Sequence, residues 1–200
     1  MVTLYRFSKI LNMKGRNSYL SSASVKKQQG RTAYYKMLES VHQGELIQVR
    51  RGIYANIDQL SGNMIDINTI VPDGILCLWS AWSIHQLTIS MPQAFHVAIK
   101  RDRKVKVPSF PKIELHHYTE SILNIGITSM EIEGFRIRLY DVERCVCDAV
   151  KFRNKIGIDV CSEIINNYLE RQDRNMSKLM DCARLLRVGT ILEQYLQVKL

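Results

Sequence analysis

No run of apolar residues in this chain approaches the roughly 18–20 that a membrane-spanning helix requires. The longest, Gly74 to Ile84, is too short and is interrupted by Ser80 and Ser83. The first residues, "MVTLYRFSKILNMKGR", lack the apolar core of a signal peptide, because Arg6 and Lys9 break it. A cytoplasmic protein without membrane contact is therefore expected. The five cysteines are an odd number without framework spacing, which argues against a disulfide scaffold. Cys145 and Cys147 stand two apart in a helical pattern and so point to different faces, a spacing that suits neither a zinc ribbon nor a redox pair. Buried free thiols are expected. Internal repeats and low-complexity tracts are also missing, as are G-x-S-x-G, the phosphate-binding P-loop and G-x-G-x-x-G.

What is present is the composition of a globular protein, 46% hydrophobic and 24% charged over 200 residues. That length suits one domain of ordinary size or two small ones. The net charge of +9 is unevenly placed. Residues 1–60 hold ten Lys and Arg against three acids, a net +7, whereas the other 140 residues hold eighteen against sixteen, a net +2. Such asymmetry points to a polyanion-binding segment joined to a near-neutral body.

The basic segment has a legible order. Residues 3–13 read as a helix capped by Thr3, with Leu4, Phe7, Ile10 and Leu11 on one face, and Gly15 breaks the pattern. A short helix is expected over Ser22 to Gln29, and Gly30 is the turn residue. "RTAYYKMLESVHQG" gives a third helix whose apolar stripe is Tyr34, Met37, Leu38 and Val41, ended by Gly44. "GELIQVRRGIYAN" then gives two short strands with Arg50, Arg51 and Gly52 at the hairpin tip. Helix, short helix, glycine turn, helix and hairpin make a winged helix-turn-helix. On that reading Arg31, Thr32, Tyr35 and Lys36 lie on the outer face of the third helix, where base edges and phosphates are read. Arg50 and Arg51 reach flanking phosphates from the wing. Lys26 and Lys27 of the short helix complete the candidate DNA-binding set.

The remainder is expected to be a second, α+β domain, giving domains at 1–58 and 59–200. Residues 56–71 look like a connector, and 72–87 like a buried helix opened by a Pro72-Asp73-Gly74 turn. Strands are expected at 95–100, 113–118 and 129–140, the last a hairpin about Glu133-Gly134. The basic, proline-containing 101–112 reads as an exposed loop. Packed helices follow, the first capped by Asp141 and the second by Asp159, so a small mixed sheet and a C-terminal helical bundle are predicted.

Residues able to carry a reaction do not converge in this second region. His116 and His117 are adjacent on a strand, so their rings face opposite ways and are poorly placed to ligate one metal. His85 reads as a satisfied core histidine. Glu131 and Glu133 share a strand face without the lysine and separate acid that a nuclease needs. On the helix after Asp141, the expected buried side is Val142, Cys145, Val146, Ala149, Val150 and Phe152, while Arg144 and Asp148 stand four apart and Glu143 two turns before Lys151. Packing is the expected task of that helix. Catalytic residues, cofactor and metal are all assigned as none.

"VRRGIYA", "ILCLWSAWSIHQLT", "FHVAIKR" and above all "DVERCVCDAVKFRNKIGIDVCSEIINNYL" resemble the AbiEi-type antitoxins of bacterial abortive-infection (type IV) toxin–antitoxin systems. The resemblance runs from about residue 30 onward, and 141–169 is its specific part. It implies an N-terminal winged helix that binds duplex DNA and represses the system's own promoter. It also implies a C-terminal domain that helps to neutralise a nucleotidyltransferase-type toxin without forming a stable complex, and it brings no catalytic residues to transfer. The alternative class is a nucleic-acid-processing enzyme that uses the winged helix for targeting.

Overall fold

Ser21 begins the first long helix. Its hydroxyl accepts from the Ser24 amide at 3.5 Å, while its own backbone is extended. A computed structural model of the chain describes residues 19–62 and 64–199. The helix expected over 3–13 lies outside the described residues. The chain forms two compact units. The first comprises the described residues up to Pro72, with Val105–Lys112 and Ile132–Phe135; the rest make the second. The fold class is α+β, as expected.

In the first unit, β1 (Leu20–Ser21) leads into α1 (Ser22–His42). Gly30 breaks α1 with φ 84° and ψ −179°, a region open essentially to glycine alone. Two helical segments result, at the expected break. The second turns Tyr34, Met37, Leu38 and Val41 toward Val25, Leu46 and Tyr54, with Met37 fully buried. β2 (Leu46–Arg50) and β3 (Ile53–Asn56) follow. β1, β3 and β2 form an antiparallel sheet in that order, with a register shift between Gln48 and Arg50.

The expected connector at 56–71 is instead folded. α2 (Ile57–Leu60) carries a capping box in which the Asn56 amide donates to Gln59 Oε1 at 3.1 Å. α3 (Ile67–Ile70) is capped by Asp66, which accepts from the Thr69 amide at 3.0 Å and its hydroxyl at 2.6 Å. Leu60, Ile65, Ile67, Ile70 and Val71 are buried. Helices of a single turn are too short to show a periodicity, so the sequence pattern does not reveal them.

The second unit is built on a mixed sheet of order β6-β5-β4-β8-β7. Its strands are β4 (Ile75–Leu76), β5 (Phe95–Lys100), β6 (Ile113–Tyr118), β7 (Ile127–Ile132) and β8 (Phe135–Tyr140). β4 pairs antiparallel with β5 and parallel with β8, and β5 pairs parallel with β6. The helix expected over 72–87 is shorter than that. The Asp73 turn opens a strand, and α4 (Leu78–Ile84) begins only after it. A central strand buried on both faces reads as a continuous apolar run, which hid its boundary with the helix. The β7–β8 hairpin turns at Glu133 (φ 51°) and Gly134 (φ 80°), where expected, so Glu133 leaves the strand and shares no strand face with Glu131.

After α5 (Glu120–Leu123), the chain ends in α6 (Val142–Ile156), α7 (Ile158–Glu170), α8 (Met176–Leu185) and α9 (Gly189–Lys199). Asp141 caps α6, its Oδ1 accepting from the Arg144 amide at 2.8 Å. Asp159 does not cap α7; Gly157 holds that position and Asp159 sits in the first turn. Trp82, Val146, Val150, Ile164, Ile165, Tyr168, Leu179 and Leu192 fill the core. All five cysteines are free and buried, as expected. Among the described residues no helix is long and apolar enough to cross a membrane.

Candidate nucleic-acid interface

All eight side chains assigned to DNA are exposed. Arg31, Thr32, Tyr35 and Lys36 lie in the first turns after the Gly30 break, on the face away from buried Met37. Tyr35 is 66% exposed, unusual for so large an aromatic ring. Lys26 and Lys27 precede the break, and the Lys26 ammonium stands 5.9 Å from the centre of the Tyr34 ring. Among the described residues none of the cations Lys26, Lys27, Arg31, Lys36, Arg50 and Arg51 has an ion-pair partner. Glu39, also exposed, is the one acid among the neighbouring outward positions of this helix. At the hairpin tip Gly52 adopts φ 74°, and its carbonyl accepts from the Ser22 amide at 2.9 Å. The tip that carries Arg50 and Arg51 is thereby tied to the first residue of α1.

The charged groups of α6 are not a solvated face. Arg144 and Asp148 are fully buried, and Arg144 Nε donates to Asp148 Oδ1 at 3.0 Å. Arg144 Nη1 also donates to the carbonyls of Ile122 (2.8 Å) and Ile125 (3.2 Å). The guanidinium carbon lies 4.2 Å from the centre of the Tyr140 ring. Burial raises the Asp148 carboxyl above its usual range, and Arg144 opposes that shift. Arg144 Nη2, Asp148 Oδ2 and the Tyr118 hydroxyl, all buried, have no hydrogen-bond partner among the described residues. Glu143 pairs not with Lys151 but with Lys178 of α8, at 2.8 Å, and Lys178 also reaches Asp141 at 3.0 Å. These contacts fasten α6 to α5, to the residues just after it and to α8. They agree with the packing task expected of α6, although its buried side is wider than the apolar stripe suggested. His85 is satisfied, its Nε2 2.8 Å from the Tyr140 carbonyl.

One cluster escaped the reading of the sequence. His116 does diverge from exposed His117, but it meets His96 of the neighbouring strand, with Nε2 and Nδ1 2.9 Å apart. Glu114 stands beside them, its Oε2 3.7 Å from His96 Nδ1. Burial, with His96 alongside, holds the His116 imidazole down to about 4; Glu114 acts the other way, and His117 and Lys155 lower it further. Cross-strand register created this trio, and spacing along the chain carries no sign of it.

No protein-family model matches the sequence, and no curated protein matches it.

Proposed function

We propose that the protein is a DNA-binding transcriptional repressor with antitoxin activity, acting in the cytoplasm on the promoter of its own operon and against a nucleotidyltransferase-type toxin. The observation that carries the DNA-binding part is the set of six exposed cations, without an ion pair among the described residues, on the two helical segments about Gly30 and on the hairpin tip. On this reading residues 1–58 are a winged helix-turn-helix. The segment after Gly30 enters the major groove, Arg31 reads a base edge, Thr32, Tyr35 and Lys36 position the helix, and Arg50 and Arg51 hold flanking phosphates. The antitoxin part rests on the resemblance of "DVERCVCDAVKFRNKIGIDVCSEIINNYL" to AbiEi-type antitoxins, and neutralisation proceeds without a stable toxin complex.

Fluorescence anisotropy of the full chain tests the DNA part, using a duplex from upstream of its own gene and a scrambled duplex. Tighter binding to the first is expected, with affinity falling steeply as salt rises, because neutralised phosphates release counterions. Equal affinity for both duplexes, or salt-independent binding, would refute it. Co-expression with the toxin tests the other part: growth should be restored, while no complex survives gel filtration.

A further inference from the structure

On β5 and β6, which run parallel, the register sets His96 opposite Glu114 and Ala98 opposite His116. Glu114 and His116 are two residues apart and so share a face of the sheet with His96. The His116 ring reaches His96 across the register, its Nε2 2.9 Å from His96 Nδ1. One nitrogen from each imidazole and one Glu114 carboxylate oxygen consequently lie within 4.8 Å of one another.

We propose that His96, Glu114 and His116 bind a divalent transition-metal ion, with zinc the best match to two imidazoles and a carboxylate. Zinc takes nitrogen at about 2.0–2.1 Å and carboxylate oxygen at about 2.0–2.2 Å in a tetrahedron, so its ligand atoms stand roughly 3.3–3.5 Å apart. The separations of 2.9 Å between the imidazole nitrogens and 3.7 Å from His96 Nδ1 to Glu114 Oε2 bracket that value. The two facing nitrogens now share one proton. Admitting the ion moves that proton to the other nitrogen of its own ring, so that both imidazoles stay neutral and both turn a lone pair to the metal. The carboxylate supplies the negative charge. Three protein ligands leave a fourth position, and the Glu114 side chain is 41% exposed, so water completes the tetrahedron. The site is open rather than closed, and it spans two neighbouring parallel strands. It is independent of the proposed DNA-binding role.

The full chain, stripped with a chelator and titrated with Co(II), should develop the visible absorption of a four-coordinate nitrogen–oxygen site. Thiolate charge-transfer should be missing, because the buried cysteines take no part. Zinc should displace the cobalt. His96→Gln and His116→Gln should each weaken Co(II) binding by at least about tenfold, and His117→Gln, on the opposite face, should bind as the unaltered chain does. Glu114→Gln, at a half-exposed position, should retain the circular dichroism of the unaltered protein while weakening Co(II) binding. A folded protein that gives no four-coordinate spectrum would overturn the proposal, as would a spectrum that survives the histidine substitutions. If both histidine variants unfold, the Glu114→Gln titration decides, and unchanged affinity there overturns it.

Discussion

Gly126 shows how one residue holds several neighbours. Its φ is 70°, its carbonyl accepts from the Asp141 amide at 2.7 Å, and a Cβ placed on it would lie 2.6 Å from Arg144 Cβ. Gly126→Ala therefore meets a left-handed backbone penalty of about 1–2 kcal/mol and a clash with a buried side chain costing about 1–3 kcal/mol more. Urea denaturation should show a loss of roughly 2–5 kcal/mol; a loss below about 1 kcal/mol would contradict the close approach. His85 gives a second expectation. Burial lowers its pKa below the ordinary 6.5, against the Tyr140 carbonyl, Asp141 and Glu143, and Arg171 lowers it further. A histidine depressed in the folded state takes up its proton more readily when unfolded. Its contribution is thus complete above pH 6.5 and is lost as pH falls below that value. Denaturation at about pH 7.5 and about pH 5.5 should show the unaltered chain losing more stability than His85→Gln. Equal losses would mean that the ring titrates normally.

At the level of elements, the break at Gly30 and the hairpin at Glu133-Gly134 were legible because glycine marks backbone conformations that other residues resist. The α6 cap was legible because Asp141 precedes an apolar stripe. The β4–α4 boundary, the one-turn helices α2 and α3, and the His96–His116 pair were not, since burial on all sides, short length and strand register leave no period in the sequence. Arg144 was partly legible: its spacing to Asp148 was evident, but its burial depends on carbonyls about twenty residues earlier in the chain. The helix after Gly30 and the hairpin tip should behave differently toward DNA. Arg50→Ala with Arg51→Ala should weaken binding to every duplex about equally and flatten the salt dependence by about two phosphates. Arg31→Ala should instead cost about 1–3 kcal/mol in discrimination between the promoter duplex and a scrambled one. Reversed results in paired anisotropy titrations would exchange the tasks assigned to helix and wing.

For the whole molecule, the concentration of charge in the first 60 residues and the separate apolar core of the second unit predict separable activities. The Arg50/Arg51 double variant should lose repression of a promoter reporter yet still restore growth to cells expressing the toxin. Loss of both activities in a protein that remains folded would show that neutralisation needs DNA. The hydrogen bond from the Ser22 amide to the Gly52 carbonyl bears on how such binding would proceed. A loose arginine loop would surrender its conformational freedom on meeting a duplex, at about 1–2 kcal/mol per residue ordered. Here that entropy is already lost when the chain folds. Association should accordingly carry a heat-capacity change no larger than the buried apolar surface accounts for, without the added signature of a segment folding on contact.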